Sequence, residues 1–309
     1  MTDACDLRCR YCRPERARWV PRAGEPLRLA ELVSLVACIN TAVGIEKLRF
    51  TGGEPLLRGD LPELVVSCAR MGIGDLALTT NAQRLAELAG TLAQCGLNRI
   101  NVSLDSLAPA TYRAITRGGD LRRCLAGINA AINHGLLPMK LNAVILREAN
   151  DHEVGALLDF ALARGCHMRF LELMPIGVAA STFEQDFVSW REVYDSLSER
   201  YELTPLPVRP GATSRNYRVR DSRNRETVLG FISPMTAPFC SGCNRLRLTS
   251  HGMLLGCLAR QHRLDLRPAL ANATSGDEGP LLSAINEALA TKKECHDLSR
   301  QREMAHIGG

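Results

Sequence analysis

The chain has 309 residues, 46% hydrophobic and 23% charged, which excludes a disordered or collagen-like polymer and leaves room for one large or two modest domains. No apolar run reaches the length of a bilayer span and residues 1–4, Met-Thr-Asp-Ala, cannot hold a secretory signal, so neither membrane insertion nor export is expected. The net charge of +5 is carried almost wholly by arginine, with four lysines among 38 basic residues, and aromatics are only 5%, a balance suited to carboxylates and phosphates rather than to a base-stacking nucleic-acid surface.

Twelve cysteines without an export signal favour reduced thiols, metal or redox chemistry over a disulfide framework. The first three come at once. Cys5, Cys9 and Cys12 form a C-x3-C-x2-C loop, and thiolates this close in sequence can converge on one soft metal centre. A four-iron cubane needs a ligand per iron, so three thiolates leave one iron for another ligand. Zinc with a distant fourth ligand is the competing reading.

An amphipathic stretch at 27–43 leads to a strand at 46–51, and the strand ends in Thr51-Gly52-Gly53-Glu54-Pro55. Two glycines at a strand end let backbone approach a ligand closely, and Glu54 supplies a carboxylate there. Further strands are predicted at 75–80, 98–104, 139–146 and 167–174, separated by helical patterns at 60–71, 83–95, 121–134 and 151–164. Such a βα series implies a parallel sheet or partial barrel. Ligands in these folds collect at the carboxyl ends of the strands, where Thr79, Thr80, Asn81, Ser103, Asp105 and residues 172–175 join the Gly-Gly-Glu-Pro segment. Lys140 lies in an apolar strand pattern, where an ammonium needs an anionic partner.

From 205 to 225 prolines and Gly211 are followed by Arg215, Arg218, Arg220, Arg223 and Arg225. The prolines mark a domain boundary or long loop, and the arginines read as a solvated hairpin face. The expected domains are 1–205 and 206–309. The second cysteine group follows: Cys240 and Cys243, then alternating Arg245, Leu246, Arg247 and Leu248, a turn at His251-Gly252, and Cys257. The alternation has the period of a half-buried strand. The turn would return Cys257 opposite residue 245 or 246. Zinc completed by His251, His262, His296 or Cys295 is again the competitor. Cys38, Cys68, Cys95, Cys124, Cys166 and Cys295 are given no function.

With C-x3-C-x2-C and Gly-Gly-Glu-Pro together, the chain resembles the radical S-adenosylmethionine enzymes. TGGEPLLR at 51–58, TTN at 79–81, NVSLDSL at 101–107, KLN at 140–142, RFLELMP at 169–175, CSGCNRLRLT at 240–249 and a terminal Ile307-Gly308-Gly309 make it similar to the GTP 3′,8-cyclases of molybdenum cofactor biosynthesis. The resemblance implies a partial (βα)6 barrel, two [4Fe-4S] clusters and S-adenosylmethionine as cofactors, and GTP as substrate. A 5′-deoxyadenosyl radical would take the hydrogen from ribose C3′, and the substrate radical would attack C8 of the purine.

Carried over by position, Cys5, Cys9 and Cys12 hold the first cluster and Cys240, Cys243 and Cys257 the second. Tyr11, Gly52, Gly53, Glu54, Ser103 and Met174 line the S-adenosylmethionine site. Lys47, Arg49, Thr80, Lys140, Arg169, Arg245, Leu246 and Arg247 contact GTP, and Gly308-Gly309 forms a tail reaching the active site. Implied partners are an electron donor such as flavodoxin or ferredoxin and the next enzyme, cyclic pyranopterin monophosphate synthase, with a homodimer compatible and neither membrane nor nucleic acid involved. The compartment expected is the bacterial cytoplasm, or the mitochondrial matrix in a eukaryote. Relative to the family pattern, the segment forming the first barrel strand and its substrate arginine is missing before Cys5, and Arg13 replaces a methionine. Two alternatives stand: a radical peptide-modifying enzyme with an auxiliary cluster, and a zinc-stabilised adaptor holding nucleic acid.

Overall fold

The computed structural model describes residues 1–15, 25–209, 211–258, 262–273 and 279–292. In chain order the main elements are α1 (Leu29–Val43), β1 (Lys47–Phe50), α2 (Leu61–Arg70), β2 (Asp75–Thr80), α3 (Leu85–Gln94), β3 (Arg99–Ser103), α4 (Pro109–Thr116) and α5 (Leu121–Asn133). Then come β4 (Lys140–Val144), α6 (Val154–Ala163), β5 (His167–Leu171), α7 (Phe183–Asp186), α8 (Trp190–Ser198), β6 (Glu202–Pro205), β7 (Arg215–Arg220) and β8 (Glu226–Ile232).

Alternation within the strands builds the site. Leu76, Leu78, Ile100, Val102, Leu141, Ala143, Met168, Phe170, Leu229 and Phe231 are buried in one core with α1 to α6. Strand side chains point alternately to opposite faces, so the intervening residues leave this core: Arg49, Asp75, Arg99, Asn101, Lys140, Asn142, His167 and Arg169. A parallel sheet wrapped on both faces would be apolar throughout. This one has a polar second face.

The sheet order is β1-β2-β3-β4-β5-β8-β7-β6. Six strands, β1 to β5 and β8, are joined by parallel pairing, whereas β7 runs against β8 and β6 against β7. The predicted strands are all present, with the ends of four trimmed by one to three residues. β8 was not predicted as the sixth parallel strand, because the arginine-rich hairpin drew attention to β7. α4 was also unpredicted, being short, polar and opened by Pro109. The Pro/Gly run falls between β6 and β7 of one sheet. The hairpin arginines behave as expected of a solvated face, with Arg220 paired to Glu226 and Arg225 to Asp221.

The C-terminal part contains a three-stranded sheet of β9 (Arg247–Leu248), β10 (Met253–Leu255) and β11 (Leu264–Asp265), then α9 (Arg267–Ala273) and α10 (Gly279–Ala290). Leu254, Leu266, Leu281 and Ile285 join the same core as Leu32 and Leu35 of α1. Burial of roughly six large side chains at about 1.5–3 kcal/mol each fixes this part against the first helix. Among the described residues no helix is long and apolar enough to cross a membrane.

Candidate active site

Residues 2–4 run alongside the end of β1. Gly53 N–H donates to Thr2 O at 2.6 Å and Glu54 N–H to Ala4 O at 2.7 Å. A Cβ on Gly52 would lie 2.5 Å from Thr2 O and one on Gly53 2.0 Å from Ala4 O. Only glycine permits this approach. On the other side the cysteine loop is pinned to α4 by Arg8 N–H to Thr116 O (3.1 Å) and Arg10 N–H to Ile115 O (2.8 Å). The Arg10 guanidinium grips both carboxylate oxygens of Asp186 at 2.7 and 3.0 Å.

Within the loop, Cys9 O accepts Cys12 N–H (2.8 Å) and Arg13 N–H (3.0 Å), closing a turn that brings the last two cysteines together. Arg13 donates to Asp3 O and so ties the loop's exit to its entry. Burial pushes the Cys9 thiol well up, reinforced by Asp105 and by Cys12 and Cys5. Burial also pushes Cys5 up to about 11, against a hydrogen bond from Leu7 N–H and the charge of Arg13. Among the described residues no three His, Cys, Asp or Glu side chains converge closely enough to cage a single ion. Three soft thiolate donors on one loop suit a four-iron cluster, in which each iron takes one ligand.

Glu54 is 1% exposed. Its carboxylate accepts Leu56 N–H at 3.0 Å, Thr80 O–H at 2.7 Å and Asn81 N–H at 2.8 Å. Burial pushes it up to about 7, with these bonds opposing. Thr80, 2% exposed, therefore lies on the face of β2 opposite Thr79, bound to Glu54. Tyr11 O–H donates to Asp105 at 2.8 Å, and Asp105 also accepts Val144 N–H at 2.9 Å. Burial raises Asp105 to about 6. Ser103 pairs in register with Asn142, and Asn142 with Arg169. Asn142 Oδ1 is buried with no hydrogen-bond partner. An unmet buried carbonyl costs about 1–3 kcal/mol, so this row calls for a donor from a bound molecule. Together with the glycine cradle, it fits a ligand at the strand ends.

The basic residues gather on the polar face. Register sets Arg49 beside Ala77 and that beside Arg99, Lys140 between Asn101 and His167, and Arg169 beside Gly230. A Cβ on Gly230 would meet Arg169 Cγ at 3.2 Å, so glycine there leaves room for the guanidinium. Burial and then the charges of Arg169, Arg99, Lys47 and Arg49 push Lys140 down to about 7. Burial, Arg49 and Arg99 push Arg169 down to about 10. Burial and Arg245 lower Arg49. Asp75 is the acid in this crowd, holding Arg99 at 2.9 and 2.5 Å and Lys47 at 3.3 Å. Such mutual repulsion calls for a multiply charged anion.

The second cysteine group joins the same wall. β9 and β10 pair Leu254 with Leu248 and Leu255 with Arg247, a register that carries Cys257 opposite residue 245, as the turn predicted. Arg247 is pushed down to about 10 by burial and by Arg245, and held up by Cys243 and Cys257. Cys243 is raised by burial, but N–H groups of Arg245 and the charges of Arg245 and Lys292 outweigh this and bring it to about 7. Arg245 Nε lies 3.4 Å from Cys243 Sγ, with the guanidinium over the Phe239 ring. Met174 packs with Cys257, Leu258 and Leu255, which joins the end of β5 to the second thiol group. Leu246, partly buried, packs against the main core.

The histidines considered for zinc are engaged elsewhere: His251 with Ser250 and Asp3, His262 with Glu287. Cys295, His296, Gly308 and Gly309 lie outside the described residues. Arg99, Asp75, His167, Asn142 and Lys292 were missed. The first four share the phase of predicted residues on their strands, so period-2 counting outward from Ser103, Lys140 and Arg169 would have found three of them; Lys292 carries no local signal.

The radical SAM superfamily model matches residues 1–161 and the Molybdenum Cofactor Synthesis C model residues 166–298. The chain is 42% identical over 308 residues to GTP 3′,8-cyclase 1 of Pseudomonas aeruginosa strain PAO1, covering 98% of this chain and 91% of that protein. It is 40% identical over 307 residues to the GTP 3′,8-cyclase of Brucella canis, with 98% and 87% covered. Among solved structures, Streptococcus suis SuiB bound to S-adenosylmethionine has the same fold at TM-score 0.62 and 15% identity, covering 98% of this chain and 74% of that one.

Proposed function

The chain belongs to the GTP 3′,8-cyclase family of the radical S-adenosylmethionine superfamily, and from that membership we propose how its residues divide the work of a GTP 3′,8-cyclase in molybdenum cofactor synthesis. The family uses S-adenosylmethionine and two [4Fe-4S] clusters. When bound, the first cluster supplies the electron, and S-adenosylmethionine the carbon radical, that remove a hydrogen from substrate.

Cys5, Cys9 and Cys12 hold that cluster. Gly52 and Gly53 keep the adjoining backbone clear of side chains, while Tyr11, Ser103 and Met174 line the cofactor's pocket. Glu54 shapes the loop through the bonds it accepts from Leu56, Thr80 and Asn81 and so sets the backbone that would hold the cofactor's amino group. Thr80 acts by fixing Glu54, and Leu246 by anchoring the arginines on either side of it.

GTP lies along the polar face. Charge is concentrated toward the amino ends of the strands, in Lys47, Arg49, Arg99 and Lys140, while Ser103 and Asn142 stand nearer the carboxyl ends. The triphosphate therefore points toward the amino ends, with the ribose beside the radical source. Cys240, Cys243 and Cys257 hold the second cluster, and Arg245 and Arg247 orient the purine against it. The hydrogen atom of ribose C3′ would pass to the 5′ carbon that S-adenosylmethionine releases, C3′ would bond to C8 of the same nucleotide, and one electron from the reductant with one proton would complete the 7,8-dihydropurine. Residues 1–205 serve the cofactor and 206–309 the second cluster.

The observation that carries this reading is the cationic wall shared by β1, β3, β4, β5 and the second cysteine hairpin, relieved by one carboxylate. A flavodoxin- or ferredoxin-type donor supplies electrons, cyclic pyranopterin monophosphate synthase takes the product, and the protein works in the bacterial cytoplasm. A homodimer is compatible with this. Anaerobic incubation with GTP, S-adenosylmethionine and reductant should give equal amounts of 5′-deoxyadenosine and a cyclised nucleotide. Deoxyadenosine formed equally well without GTP would remove the substrate assignment.

A further inference from the structure

Lys292 follows α10 and spends its ammonium on the second cysteine hairpin. Its Nζ donates to Arg245 O at 2.7 Å and to Gly256 O at 2.8 Å, and lies 3.7 Å from Cys243 Sγ. An ammonium has three donors, and all three point at the cysteine site. Arg245 stands two residues after Cys243, and Gly256 one before Cys257, so a single side chain ties together the two cysteine-bearing segments that flank β9 and β10. Close packing makes this reach possible. A Cβ on Gly256 would overlap Ala288 O, so the end of α10 abuts the backbone just after β10 directly, and Thr291 O–H closes onto Ala288 O at 2.7 Å.

We propose that Lys292 is a positioning residue of the second iron–sulfur site, holding Cys243 and Cys257 in register through two carbonyls and presenting a positive charge to the Cys243 sulfur. This rests on the reading that Cys240, Cys243 and Cys257 hold a cluster. Hydrogen bonds to the sulfurs and nearby charge raise a cluster's reduction potential, and partners of ligating groups typically alter metal retention 10–100-fold. A lysine serving only as a surface tether would leave the potential unchanged.

The test uses full-length protein reconstituted anaerobically, with Lys292→Met, Lys292→Gln and Lys292→Arg. Wild type should carry about eight irons and show two reducible clusters. Lys292→Met should lose half its iron to a chelator roughly 10-fold faster than wild type, with the other half unaffected, and move one cluster to a more negative midpoint potential. Lys292→Gln keeps amide donors for the carbonyls without the charge, so it should retain iron but show the same negative shift. Lys292→Arg should return the potential toward wild type. Eight irons with unchanged potentials in Lys292→Met and Lys292→Gln would overturn the proposal alone. A wild type holding only four irons would remove both the second-cluster reading and the role of Lys292.

Discussion

The Ser250 hydroxyl donates to the Asp3 carboxylate at 2.8 Å. A residue two positions before Cys5 is thereby bonded to the turn between β9 and β10, and the two cysteine groups, more than 200 residues apart in sequence, are joined by one buried contact. His251 Nδ1 lies 3.6 Å from the other Asp3 oxygen. Asp3→Ala would leave the buried Ser250 hydroxyl without this acceptor, a loss of about 1–3 kcal/mol. The expected result is a lower thermal midpoint and more deoxyadenosine per cyclised product, read by melting and by product ratio.

Lys140→Met separates binding from stability. The ammonium is partly buried among cations, so its removal should leave the ligand-free protein at least as stable while weakening GTP binding roughly 10- to 100-fold, as loss of a charged hydrogen bond of about 1.5–3 kcal/mol implies. Calorimetric titration and thermal melting of one preparation check both halves.

The pH dependence follows from the same residue. Folding lowers Lys140 to about 7, whereas an unfolded lysine titrates near 10.4. Between those values the unfolded chain binds the extra proton, so the ligand-free protein gains stability as pH rises through that window and feels the full penalty below it. If the triphosphate pairs with this ammonium as proposed, GTP affinity should fall as pH rises above about 7. Lys140→Met should flatten both slopes.

Gly53→Ala puts a methyl 2.0 Å from Ala4 O. Backbone must shift, and the first cysteine loop shifts with it. Reconstituted protein should fall from about eight irons toward four, with S-adenosylmethionine cleavage lost while the second cluster's signal persists.

How far the sequence foretold the structure depended on the range of the interaction. Cys9, Cys12 and the Gly-Gly-Glu-Pro segment act within a few residues, and their spacing revealed them. The hairpin register followed from a local turn at Gly252, whose φ of 83° favours glycine. Thr80 and Thr79 are chemically identical neighbours, so only the phase of β2 in the folded chain shows that Thr80 turns to Glu54. Arg99 and His167 hid in strands judged by their apolar residues. Asp3 with Ser250, and Lys292 with Cys243, are contacts made only by the folded chain, and no local pattern encodes them.

If GTP sits against this wall with its ribose at the radical source, incubation with GTP deuterated at ribose C3′, S-adenosylmethionine and reductant puts deuterium into the 5′-deoxyadenosine formed, and Arg247→Ala loses that transfer with its iron content unchanged. Deoxyadenosine free of deuterium, alongside unaltered GTP, would refute this placement of the nucleotide.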